Sequence, residues 1–70
     1  MVKKYVYSNI IKALEEEHET QRKIANILGI SDVALRFKLS AKYEWTIGEI
    51  ETLCKHFNKD YYELFKKDED

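Results

Sequence analysis

The chain has 70 residues, with 12 Lys or Arg against 13 Asp or Glu, a formal net charge of −1. It has no proline, two glycines and one cysteine. Two cores cannot be built at this length, so one small domain is expected, and one cysteine excludes an internal disulfide framework. With two histidines it also offers too few soft ligands for a zinc module. The lone thiol fits a reducing compartment. No apolar run approaches the roughly 20 residues of a membrane span, and the opening Lys-Lys is not followed by an apolar signal core. The near-zero net charge argues against a generic polyanion binder, although the distribution of charge decides more than its sum.

The apolar spacing is mostly three to four, which predicts an all-α fold, and the capping residues divide it into five helices. The first begins near Tyr7 or Ser8, with Tyr7, Ile10, Ile11 and Leu14 on one face, and leaves the core and ends in the run from Glu15 to Glu19, which has no apolar member. Thr20 is an N-cap for a second helix whose inner face carries Ile24, Ala25 and Leu28. Gly29 stands where that helix needs a positive φ to stop. Ile30 plugs the turn, and Ser31 caps a third helix that runs to about Leu39, with Leu35 and Leu39 on one side. Residues 40–45 read as a loop, with Tyr43 and Trp45 as lids over the core. Thr46 and Glu49 form a capping box. It opens a fourth helix with Ile47, Ile50, Leu53, Cys54 and Phe57 as its inner stripe. Asp60 and Glu63 form a second box before a short last helix, whose Tyr61, Leu64 and Phe65 close the core. Residues 1–5 and 66–70 are expected to be flexible, solvated ends.

The most informative stretch is residues 20–39, which reads as cap, short helix, glycine turn, cap, short helix. Ala25 is the small residue that lets the two helices approach, and Gly29 makes the bend. Here the chain resembles the helix-turn-helix of the phage Cro/CI repressor superfamily, the XRE-like family. The matching residues are Thr20, Gln21, Ile24, Ala25, Leu28, Gly29, Ile30, Ser31 and Leu35, followed by Thr46, Ile47, Glu49, Ile50, Leu53, Glu63, Leu64 and Phe65. The resemblance implies a five-helix lambda-repressor-like domain with a central helix-turn-helix. It further implies that the start of the third helix enters the major groove of double-stranded operator DNA. Asp32, Val33, Arg36 and Phe37 are then the candidates for base edges or a partner surface. Gln21, Arg22, Lys38, Lys42 and Tyr43 are the candidates for phosphate or partner contact. A homodimer on a palindromic operator, in the cytoplasm of a bacterial host, follows from the same resemblance. Tyr61, Tyr62, Phe65 and the exposed part of the fourth helix are candidates for the dimer patch.

The charge distribution fits that expectation. Residues 20–42 hold five basic residues and one acidic, a local net charge of +4, while the rest of the chain holds seven basic and twelve acidic, −5. A basic motif inside an acidic shell attracts a polyanion at one face and repels it elsewhere. Lys3 and Lys4 are candidates for an arm contact. The sequence departs from the family pattern at Asp32, where glutamine or another neutral polar residue is common. It departs also at His18 and Glu19, where glycine and an apolar residue are usual, and at Ala41, where glycine usually ends the third helix. A left-handed alanine there is strained by about 1 kcal/mol. Arg36 also lies one helical turn from Asp32 and is its candidate ion-pair partner.

Val33 and Phe37 sit one turn apart on the side expected to be exposed, a pattern that equally fits a protein contact. The chain is also similar to small phage modulators of repression, in its Lys-Lys-Tyr start, its size and its acidic shell. That resemblance implies an antirepressor that uses the same face to bind a CI-type repressor protein. No catalytic constellation has a scaffold: Cys54 follows the core stripe, and His56 lies on another face of the helix. No enzyme activity, metal or cofactor is expected.

Overall fold

The computed structural model describes residues 5–68, and they form five helices: α1 Ser8–Glu16, α2 Gln21–Leu28, α3 Asp32–Leu39, α4 Ile47–Phe57 and α5 Tyr61–Leu64. The caps act where the sequence places them. Thr20 Oγ1 accepts from the Lys23 amide at 3.1 Å, and Ser31 Oγ accepts from the Ala34 amide at 3.0 Å. Thr46 and Glu49 make both arms of their capping box, at 3.1 and 2.9 Å. The second box is only half formed. Asp60 Oδ1 accepts from the Glu63 amide at 2.8 Å, but the Glu63 carboxylate lies 3.7 Å from Lys59 Nζ instead of reaching back.

The first four helices end in the same way. A residue with positive φ follows the last turn: His18 (55°), Gly29 (72°), Ala41 (65°) and Asn58 (54°). In each case the next amide reaches back to close the turn: Glu19 to Leu14, Ile30 to Ala25, Lys42 to Phe37 and Lys59 to Cys54. This satisfies carbonyls that a helix end otherwise leaves open. Only one of the four residues is glycine, so three turns carry the steric cost of a left-handed side chain.

The core is built from Tyr7, Ile10, Ala13, Leu14, Ile24, Ala25, Leu35, Leu39, Leu53, Phe57, Leu64 and Phe65. Burying each large apolar side chain stabilises the fold by about 1.5–3 kcal/mol. α2 packs on α3, and α5 packs on both α1 and α4. Asn9 Nδ2 adds a bond to the Glu63 carbonyl at 2.6 Å, tying α1 to α5. An aromatic cluster closes one end. Trp45 meets Tyr7 and Phe65 edge-on at 5.9 and 5.1 Å, and Tyr61 stacks on Phe65 at 5.7 Å. The Trp45 Nε1–H is buried without an acceptor among the described residues, at a cost of about 1–3 kcal/mol.

Four expectations about packing change. Ile47 is 76% exposed, because the first residue of α4 lies at the helix mouth beyond the buried stripe. Tyr43 is no lid on the core: it is half exposed and packs edge-on against Phe37 at 5.1 Å. Tyr5 and Val6 pack against the core, and the Val6 amide donates to the Leu39 carbonyl at 3.0 Å. Lys66 and Lys67 are exposed, but Asp68 is not a free tail. Its amide donates to the Val6 carbonyl at 2.7 Å, and its carboxylate accepts from the Ser8 hydroxyl. Lys3 and Lys4 lie outside the described residues.

Candidate nucleic-acid interface

α3 is the element on which the candidate site depends. It buries Leu35, Lys38 and Leu39. A helix that buries one stripe presents the other, and here the presented positions are Val33 and Arg36, with Asp32 and Phe37 half-buried beside them. Val33 is 48% exposed. The exposed turn after α3 places Lys42 and Tyr43 next to Phe37: Lys42 Nζ stands 5.5 Å from the Phe37 ring centroid, and Tyr43 meets the same ring edge-on. The left-handed Ala41 directs this, because it turns the chain back so that the Lys42 and Tyr43 amides both donate to the Phe37 carbonyl, at 2.9 and 3.3 Å. On α2, Gln21 is half-buried in the first turn and Arg22 is exposed beside it. Asp32, Val33, Arg36, Phe37, Lys42 and Tyr43 are therefore brought together along α3, with Arg22 linked to them through Asp32.

Lys38 leaves the set. It is 8% exposed, and its ammonium donates to the Glu44 carbonyl and pairs with Glu49 Oε1, each at 2.9 Å, with the Trp45 ring 5.9 Å away. The reason is positional: one helical turn after Ala34 and next to Leu39, it falls on the inner stripe. Its aliphatic stem is accepted there and its charge is met by the carboxylate of the α4 capping box. Burial pushes the Glu49 carboxyl up, but the Thr46 amide and then Lys38 outweigh it, so it titrates below its ordinary value. Lys38 thus joins α3 to the start of α4 and offers nothing to an outside anion.

The remaining cations are also sorted. Lys23 Nζ pairs with Glu19 at 3.1 Å, and Glu19 Oε1 also meets His56 Nε2 at 2.8 Å. The His56 hydrogen bond, followed by that of Lys23, holds the Glu19 carboxyl below its ordinary value. The acid standing where an apolar residue is usual therefore fastens the turn between α1 and α2 to α4. The candidate pair between Asp32 and Arg36 does not form. Arg22 reaches Asp32 across the turn instead, Nε to Oδ2 at 3.6 Å. Arg36 and Lys42 have no ion-pair partner among the described residues.

One surface residue was missed from sequence. Ile27 is partly exposed on α2 and lines a shallow groove with Thr46, Gly48 and Thr52. The signal was present, since Ile27 lies off the stripe defined by Ile24, Ala25 and Leu28. Cys54 is half-buried, and burial with Asp60 nearby raises its thiol pKa, the opposite of an activated thiolate. Among the described residues no group of three His, Cys, Asp or Glu could hold a metal, and no helix is long and apolar enough to cross a membrane. No protein-family model, curated protein or solved structure matches the chain.

Proposed function

We propose that this chain is a sequence-specific DNA-binding regulator of a phage or prophage genetic switch, with α3 as the element that enters the major groove of operator DNA. The observation that carries the reading is the outer face of α3: an Arg36 with no ion-pair partner among the described residues, flanked by Val33 and Phe37, on a helix fixed to α2 by the tight Gly29 turn. In this reading Arg36 contacts guanine O6 and N7, Val33 and Phe37 meet thymine methyls, and Asp32 accepts from cytosine N4. Gln21, Arg22, Lys42 and Tyr43 face the phosphates. The protein is not an enzyme, needs no cofactor, and acts in the bacterial cytoplasm. A single module covers little DNA, so a homodimer on a two-fold operator is part of the proposal. The exposed Tyr61 and Tyr62 on α5 are the candidates for its contact.

A second reading is favoured by a different observation. The half-exposed Val33 and the Phe37–Tyr43 pair give the same face an apolar character. This suits an antirepressor that binds a CI-type repressor protein. The two readings separate in one experiment. A duplex site selected from a random library is titrated, with and without a CI-type repressor protein, at about 50 and about 200 mM salt. Binding to DNA alone that weakens steeply with salt and falls about 5- to 150-fold on Arg36→Ala supports the regulator. Binding to the repressor alone, insensitive to salt and lost on Val33→Ser, overturns it in favour of the antirepressor.

A further inference from the structure

We propose that the Arg22–Asp32 pair is a gate on DNA binding. In the free protein Asp32 occupies Arg22 as a phosphate would, and only a duplex that satisfies Asp32 releases Arg22 at no cost. This rests on the DNA-binding reading above and adds to it a means of rejecting non-cognate DNA.

The pair joins the first turn of α2 to the first residue of α3, ten positions apart and across the Gly29 turn, with Arg22 Nε 3.6 Å from Asp32 Oδ2. Both side chains are open to solvent, at 79% and 42%, so a large ligand can reach either. Asp32 has no capping duty to hold it elsewhere, because Ser31 already accepts from the Ala34 amide. Nor does Arg22 pair with another acid among the described residues: Glu19 is taken by Lys23 and His56. The α3 amino terminus is a favourable place for the Asp32 carboxylate.

The consequence differs between duplexes. Non-cognate DNA offers Arg22 a phosphate only in exchange for its pair with Asp32. Such binding gives back what the pair was worth, about two- to fivefold for an exposed pair. A site presenting cytosine N4 to Asp32 satisfies the carboxylate as Arg22 transfers to the backbone, so both groups end paired. Arg36 and Val33, which form no ion pair with either member, read the sequence in either case.

The test is a double-mutant cycle with Asp32→Asn and Arg22→Ala, titrated against a random-sequence duplex and against a duplex selected by the unaltered protein. Surface ion pairs are worth little, so Asp32→Asn should tighten random-duplex binding by about two- to fivefold. Its salt slope should steepen by about 0.9, the release of one more counterion. The selected duplex should gain nothing, so discrimination falls by the same factor. In the Arg22→Ala background the gain should disappear. A gain of equal size with and without Arg22 would mean simple relief of repulsion and would overturn the gate, as would the absence of any gain. Thermal melting checks that Asp32→Asn keeps its fold, as the intact Ser31 cap predicts. Failure of the unaltered protein and of Asp32→Asn to bind any duplex at about 50 mM salt defeats the DNA reading itself, and the gate with it.

Discussion

Replacing Lys38 by methionine tests the sorting of cations most directly. The substitution keeps the stem and its volume and deletes the ammonium, which is held by the Glu49 carboxylate and the Glu44 carbonyl at 2.9 Å each. Glu49 keeps its bond from the Thr46 amide, so the capping box survives, but a nearly buried carboxylate loses its counter-charge. Breaking one partner of a buried pair costs about 3–5 kcal/mol, and the surviving amide bond places this site at the lower end, about 3 kcal/mol. Against a total stability on the order of 3.5–10 kcal/mol for a chain of this size, that is a large fraction. Thermal unfolding followed by circular dichroism should show it, with a fall in melting temperature of about 12–24 °C. Lys42→Met, which removes an exposed cation, should change stability by less than about 0.5 kcal/mol. On a DNA duplex the order reverses. Lys42→Met should flatten the salt slope by about 0.9, and Lys38→Met, measured where it is folded, should leave the slope unchanged. A Lys38→Met protein of unaltered stability with a flattened salt slope would falsify the assignment of Lys38 to the interior.

Three further outcomes follow from the turns, the titrating pairs and the α4 stripe. Ala41→Gly should raise stability by about 1 kcal/mol by relieving the left-handed alanine, and Gly29→Ala should lower it by about the same, since a Cβ there meets nothing within 4 Å and only the backbone objects; equal effects of like sign in urea melts would contradict this. Glu19 and Glu49 both titrate below their ordinary value of 4.5 in the folded chain, so the stability they give is present above that pH and is lost as pH falls through their folded values. Glu19→Gln should therefore lower stability at neutral pH and flatten the acid limb below about pH 4.5, and an unchanged acid limb would count against the Glu19–His56–Lys23 cluster. Ile47→Lys should cost less than about 0.5 kcal/mol, whereas Leu53→Ala on the same helix should cost about 2–5 kcal/mol; comparable losses would show that Ile47 is buried after all.

Local chemistry was legible in the sequence to within a residue or two. Thr20, Ser31, Thr46 and Asp60 cap where their position before an apolar stripe says they should, because a cap acts on amides three residues away. Gly29 and Ala41 were legible as left-handed positions for the same reason. The destination of the charges was not legible. Lys38 and Lys42 are one turn apart and alike in sequence, yet one is buried against α4 and the other is exposed. Their fates depend on where Glu44 and Glu49 come to rest, which is set by the tertiary fold. Along the helix Arg36 is the nearer candidate partner for Asp32, but across the turn Arg22 is the nearer one, and that distance is set by the tertiary fold. Ile47 fits the helical period, but a helix's first residue can keep the period and still project past the core.

The hydrogen bonds from Asp68 to Val6 and from Val6 to Leu39 bear on the topology of the chain as a whole. They bring positions 6 and 68 side by side. A cross-link between these two positions would ask no helix to move, while the unfolded chain would lose the freedom of a loop of about 60 residues, about 4 kcal/mol in the chain-entropy model. A protein this small has few other ways to gain so much without enlarging its core. The cross-link would also steady the last turn of α3, since the Val6 amide donates to the Leu39 carbonyl.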